Sequence, residues 1–279
     1  LAVLPIEVEF YRSHGVPTTF VGHPFFDAVA DQRLEQPILD QLEARRASGR
    51  TIAVLPGSRT HEVHSNWPIM LQSIQKIHQS HPQVRFAVAG YREKHVKFCR
   101  DSLDTLSAEL PIDFYQGCTS EIIEHADLSM MVSGSVSLEM MARRTPSVVI
   151  YRVGRFLYAF GKCVIKVDSM TLPNLMPQES DQTVQHGDER VFPEIVSVGD
   201  TRRGIDFLTD VTRRLLDDQE YQSAKRLELD RLAKRYASPG ASVRAASLIG
   251  QLLQRDTVGD THQLENATQD HPRVSGSSR

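Results

Sequence analysis

The sequence predicts an α/β fold: a doubly wound, Rossmann-like parallel sheet followed by C-terminal helices. Three observations predict it. Short apolar runs alternate with helix-like segments between residues 51 and 151. Two of those runs end in small glycine–serine turns, and beyond Thr201 only helical spacing remains. Alternation of this kind implies parallel strands with helices on both faces, and right-handed crossovers then place ligands at the carboxyl ends of the strands.

The elements follow in order. The run T-I-A-V-L at 51–55 is the first strand, and further strands are expected at 84–89, 112–115, 127–132 and 147–151. Between the first two, residues 66–78 place Trp67, Met70, Leu71, Ile74 and Ile77 on one helical face. Helices are also expected at 93–110, 120–125 and 136–144, then at 203–216, 219–237 and 240–254. The polar, glycine-containing stretch 256–279 predicts a disordered tail.

Composition narrows the function. With 279 residues, 40% of them hydrophobic, the chain can build a substantial core. A net charge of −3 lacks the basic excess of a nucleic-acid binder. Cys99, Cys118 and Cys163 are too far apart for a metal knuckle and suit buried thiols in a reducing compartment. No apolar run reaches the roughly 18 residues of a membrane span, and no signal peptide is visible. The chain starts at Leu1, inside the apolar run L-A-V-L-P-I-E, which reads as the continuation of a preceding N-terminal portion.

The most informative segment is D-L-S-M-M-V-S-G-S-V-S-L-E, residues 127–139. An apolar strand runs into Ser133-Gly134-Ser135 and then into a helix with Leu138, Met141 and Ala142 at helical spacing. A strand–turn–helix junction aims free N–H groups and the positive end of the helix dipole at one spot, which suits a phosphate. Gly134 permits close backbone approach, the serines add hydroxyl donors, and Glu139, one turn into the helix, is placed for ribose hydroxyls. The competing reading is a plain helix start capped by Ser135; position 138 is Leu, so no capping box accounts for Glu139. A second junction strengthens the nucleotide reading: the 51–55 strand ends in Pro56-Gly57-Ser58-Arg59. An arginine there can hold diphosphate oxygens in a bidentate fork.

Four motifs together, F-V-G-H-P at 20–24, L-P-G-S-R at 55–59, S-G-S-V-S-L-E at 133–139 and T-L-P-N-L at 171–175, occur in this order. The chain, over about residues 1–254, thereby resembles the C-terminal half of the lipid-A-disaccharide synthase family, inverting glycosyltransferases of the two-domain GT-B type. The resemblance implies that residues 1–30 are the end of an N-terminal domain and the interdomain hinge, and 31–255 the nucleotide-sugar domain. It implies that Gly57, Ser58 and Arg59 meet the donor diphosphate, with Arg59 stabilising the leaving group. Ser133, Gly134 and Ser135 would supply the phosphate-facing turn, Glu139 the ribose contact, and Asn174 a place near the donor. The catalytic base would lie outside this chain, in the N-terminal half; His23 would pack at the hinge, and His23 and Asp27 are the fallback bases within it.

The implied reaction joins UDP-2,3-diacylglucosamine to 2,3-diacylglucosamine 1-phosphate, giving the lipid A disaccharide 1-phosphate and UDP, with no cofactor and no metal. No Asp-x-Asp motif of metal-dependent sugar transferases is present. Acylated substrates imply work at the cytoplasmic face of the inner membrane. A stretch from 140 to 167 with Arg143, Arg144, Arg152, Arg155, Lys162 and Lys166 and no acid, interleaved with Phe156, Leu157, Tyr158 and Phe160, suits an anionic membrane surface as well as it suits a packed helix. A homodimer is left open. Two departures from the family are Ser135, where threonine is usual, and the polar insertion-like stretch 178–190, expected to be a surface loop. The alternatives are an epimerase of UDP-N-acetylglucosamine on the same scaffold, or a non-catalytic UDP-binding fragment.

Overall fold

The run Thr51–Leu55 forms β1 and is buried along its whole length, which puts it at the centre of the sheet. In the computed structural model, which describes residues 1–46, 49–104, 106, 109–154, 169–176 and 189–267, the other strands are β2 (Arg85–Gly90), β3 (Ile112–Gln116), β4 (Leu128–Val132), β5 (Ser147–Val153) and β6 (Glu194–Val198). All pair in parallel, in the order β3-β2-β1-β4-β5-β6. The doubly wound expectation therefore holds.

Both faces are covered, as a parallel sheet requires. Along β1, Ile52 and Val54 point into one core layer with Phe86, Val88 and Met130; Ala53 and Leu55 point into the other with Ala87, Met131 and Val149. The first layer is closed by Trp67, Ile74 and Ile77 of α4 (Thr60–Ser80) and by Leu208 and Leu215 of the helix Arg202–Asp217. The second is closed by Ile122 of α6 (Thr119–His125), by Leu138 and Met141 of α7 (Val136–Arg143) and by Leu229 and Leu232 of the helix Gln219–Tyr236. Ile52, Val54 and Met130 are fully buried, and each such side chain contributes about 1.5–3 kcal/mol. Trp67 is also fully buried, and its indole N–H donates to Ser102 Oγ at 2.5 Å.

Several features differ from the sequence expectation: the helix expected at 93–110 ends at Asp101, and three helices before β1 were not foreseen. The strand β6 was not foreseen, because E-I-V-S-V is short, follows Pro193 and lies half-exposed at the sheet edge. The helix expected at 66–78 begins at Thr60, directly behind Arg59; its first turn is polar, so apolar spacing could not reveal it. With α1 (Pro5–Ser13), α2 (Phe25–Asp31), α3 (Gln36–Arg46) and α5 (Glu93–Asp101), the three C-terminal helices are α8 (Arg202–Asp217), α9 (Gln219–Tyr236) and α10 (Ala241–Ala267). The last helix continues past Asp256 to Ala267, where composition predicts a tail; residues 268–279 lie outside the described residues. Among the described residues, no helix is long and apolar enough to cross a membrane.

Candidate functional site

The strand order reverses direction between β1 and β4, which are neighbours although β2 and β3 lie between them in sequence. Their register pairs Leu55 with Met131, so the turn after β1 and the turn after β4 emerge side by side at the carboxyl edge. This is the switch point at which doubly wound sheets bind ligands. A cleft of about 370 Å³ opens there. It is lined by Gly57, Ser58 and Arg59 of the first turn, by Ser133, Gly134 and Ser135 of the second, by Glu139, and by Phe25, Tyr91 and Thr119.

The second turn is open. Ser135 is the N-cap of α7 but makes no side-chain capping hydrogen bond, so its hydroxyl is not used as a plain cap. Ser137 Oγ donates to the Gly134 carbonyl at 2.7 Å and fastens the first turn of the helix. Ser133 Oγ donates to the Met170 carbonyl, tying the turn to the segment that leads into T-L-P-N-L. A Cβ at Gly134 would meet no protein atom within 4 Å, so packing does not demand glycine; the space it leaves belongs to the cleft. Glu139 is buried, and its Oε1 accepts from Arg143 Nε at 3.0 Å. The same guanidinium donates to Glu124 at 2.6 Å and to Gln32 Oε1 at 3.0 Å. Arg143 thereby fixes the rotamer of Glu139.

The first turn is different, and sequence reasoning missed why. Gly57 has φ +127°, and a Cβ on it would fall 2.6 Å from Glu62 Cβ. Glu62, in the first turn of α4, folds back beneath it: Oε2 accepts from the Ser58 and Arg59 amides, both at 3.1 Å, and Oε1 from Arg59 Nη1 at 2.9 Å. The two amides expected to meet a phosphate are held by a carboxylate of the chain itself. The signal was present, an acid three residues after the N-cap Arg59. Arg59 itself is 70% exposed in its side chain, against 7% for Glu62, and it lines the cleft.

Other candidates lie elsewhere. Asn174, in the 3-10 turn Pro173–Leu175, donates from Nδ2 to the Phe192 carbonyl at 2.8 Å and accepts from the Phe192 amide at 2.9 Å. It clasps the approach to β6 and is not among the described residues that line the cleft. His23 Nδ1 accepts from the Phe25 amide at 3.1 Å, and burial lowers its pKa. Cys99 is buried, its thiol pushed up to about 12 by burial, while Cys118 is only partly covered. Of the basic stretch, Arg144 pairs with Asp230 at 2.7 Å and Arg143 serves Glu139. Arg155, Phe156, Leu157, Tyr158, Phe160, Lys162, Cys163 and Lys166, and positions 178–188 of the polar stretch, lie outside the described residues. Among the described residues no three His, Cys, Asp or Glu side chains cluster as a metal site would.

Asp27, a fallback base, is a helix cap. Its Oδ1 accepts from the Gly240 and Ala241 amides at 2.5 and 3.1 Å, and its Oδ2 from the Ser242 amide at 2.9 Å. These bonds, the Ser242 amide foremost, draw its carboxyl down to about 2 from the model-compound 3.8, far from the range of a base at neutral pH. A folded pKa below the unfolded one stabilises fully above the unfolded value and loses that contribution as pH falls through the folded one. The stability difference between the wild-type chain and Asp27→Asn is expected to be full above about pH 4 and to vanish towards about pH 2. Urea unfolding followed by circular dichroism across that range checks it; a pH-independent difference would refute the capping role.

Comparison with known proteins agrees with the geometry. The family model described as lipid-A-disaccharide synthetase matches residues 1–185. The lipid-A-disaccharide synthase of Hahella chejuensis is 30% identical over 267 residues, covering 94% of this chain and 62% of that protein. That of Geobacter sulfurreducens is 29% identical over 257 residues, covering 90% and 61%. The chain thus spans less than two thirds of the length of these relatives. The Staphylococcus aureus MnaA–UDP co-structure aligns with a TM-score of 0.59 at 11% identity, over 91% of this chain and 59% of that one, a likeness of fold alone. With a family match over most of its length, the chain belongs to the lipid-A-disaccharide synthetase family.

Proposed function

We propose that this chain carries the donor half of a lipid-A-disaccharide synthase, the part that binds the UDP-linked sugar and takes up the charge of the leaving diphosphate. The observation that carries the reading is the lateral pairing of β1 with β4, which brings Arg59, the open turn Ser133–Gly134–Ser135 and Glu139 to one cleft. In this reading residues 1–30 close the preceding domain and form the hinge, and 31–255 form the nucleotide-sugar domain. The α7 N-terminus and the Ser135 hydroxyl receive phosphate oxygens, Arg59 neutralises the diphosphate, and Glu139 accepts from ribose hydroxyls.

The chemistry follows from that placement. The acceptor hydroxyl of a diacylglucosamine 1-phosphate attacks the anomeric carbon of UDP-diacylglucosamine, the bond to the diphosphate oxygen breaks, and a base removes the hydroxyl proton. Positive charge fixed beside the departing UDP lowers the barrier, since oriented donors need no reorganisation as the charge develops. Within the cleft both carboxylates, Glu62 and Glu139, are committed to arginines, and Asp27 is a helix cap. None is placed as that base, and the 279-residue chain alone is expected to bind UDP yet give little or no disaccharide. A mass-spectrometric assay with both acylated substrates checks this; robust turnover would refute it. The membrane surface enters because the implied substrates are acylated, and the cytoplasmic face of the inner membrane is where such substrates would be met. The epimerase alternative has only a likeness of fold on its side, to a putative UDP-N-acetylglucosamine 2-epimerase from Listeria monocytogenes (TM-score 0.55, 13% identity), whereas the family match and the relatives named above are synthases.

Two substitutions test the donor site. Arg59→Ala should weaken UDP binding by about 1.5–3 kcal/mol, the scale of hydrogen bonds to a charged group; calorimetry showing unchanged affinity removes Arg59 from the site. Glu139→Gln should weaken UDP while leaving 2′,3′-dideoxy-UDP nearly untouched, because only the former offers ribose hydroxyls. Equal losses for the two nucleotides would mark Glu139 as structural.

A further inference from the structure

We propose that Glu62 is a positioning residue of the donor site, which holds the turn after β1 closed and aims Arg59 at the diphosphate. The inference deepens the reading of the cleft as a UDP site and rests on it. A phosphate-type turn would be expected to keep its amides free for the ligand. Here the Ser58 and Arg59 amides and one guanidinium nitrogen of Arg59 all converge on the Glu62 carboxylate at 2.9–3.1 Å.

Displacement of Glu62 by the ligand is the rival account, and the geometry speaks against it. The Glu62 side chain is 93% buried, its exposure being 7%, and a buried carboxylate stripped of its donors is penalised more heavily than two recovered amide bonds return. The surroundings are shaped to it. Gly57 adopts φ +127° and has no room for a Cβ, because that atom would stand 2.6 Å from Glu62 Cβ. Asn66, itself buried, donates to the Glu62 carbonyl at 2.8 Å and accepts from the Arg152 amide at 3.0 Å, pinning the first turn of α4 to the end of β5. Arg59 gives Nη1 to Glu62 while its side chain remains 70% exposed, leaving the outer part of the planar fork for phosphate oxygens. The division of labour is then unequal. The α7 turn supplies backbone donors, while the β1 turn supplies one arginine held at a set angle by its own carboxylate.

The test is calorimetry of the 279-residue chain with UDP and with uridine, which lacks phosphate. Glu62→Gln keeps the shape and removes the charge that orients Arg59; it is expected to weaken UDP about tenfold and to change uridine less than about twofold. Combining it with Arg59→Ala should give no loss beyond Arg59→Ala alone, since Glu62 acts through Arg59. Tighter UDP binding by Glu62→Gln would identify a competing carboxylate and overturn the proposal; so would unchanged binding, additive losses, or equal losses for UDP and uridine. Glu62→Asp, which keeps the charge but withdraws it from Arg59, should show the same UDP-specific loss and stands in if Glu62→Gln does not fold by circular dichroism. Failure of both variants to fold would make Glu62 a stability determinant and overturn the assignment. A wild-type chain that binds no UDP at all refutes the donor-site reading before any substitution is made, an outcome distinct from those above.

Discussion

The parallel pairing of β1 with β4 is the constraint on which the rest of the molecule depends. A parallel strand buried on both faces tolerates no shift of register, because a slip of one residue would turn Ile52 and Val54 away from the layer that Phe86 and Met130 occupy. With the register fixed, the two strands end level with each other, and their following turns meet at one edge. The helices that leave those turns, α4 and α7, then present their N-termini to the same cleft. Packing energy thus settles the geometry of the polar groups, although none of those groups contributes to the pairing.

The polar groups at that edge show a consistent economy. Each buried acid has a specified partner: Glu62 the turn amides and Arg59, Glu139 the Arg143 guanidinium. Burial without partners would be heavily penalised, so the pairs are a condition of having carboxylates in the cleft at all. They also make the side chains rigid, and a rigid acid or arginine is worth more to a ligand than one that must be ordered on binding. Asp27 applies the same physics on α2, where its carboxylate caps α10 and joins the first thirty residues to the C-terminal helix. Arg244 adds a second tie from α10 to the Val21 carbonyl at 2.8 Å.

Fold and function stand on different footings. The fold is similar to that of a UDP-bound protein at 11% identity, a distance at which the scaffold says nothing of the reaction. Membership of the lipid-A-disaccharide synthetase family rests instead on sequence similarity that runs through the turns. Within this site the two turns differ, one being open and the other closed by its own glutamate.

Sequence periodicity was sufficient for β1 to β5, because strands buried on both faces read as unbroken apolar runs and their helices carry apolar faces at helical spacing. It failed at β6, whose edge position leaves it half-exposed and chemically mixed, and at the start of α4, whose first turn is polar. The motifs marked Arg59, Ser133, Gly134, Ser135 and Glu139, which the fold brings to one cleft, since glycine–serine turns at strand ends carry a local backbone signature. Nothing local could place Asn174, whose amide is spent on Phe192, or reveal that Asp27 serves α10, more than two hundred residues away in the chain. Nor did apolar spacing disclose that Glu62 fills the turn before it. The sequence by itself determined the elements and the chemistry available at their ends, because those depend on near neighbours. Which ends meet, and which donors are already satisfied when they do, was decided only by tertiary structure, because strand order and buried hydrogen bonds join residues that no local pattern connects.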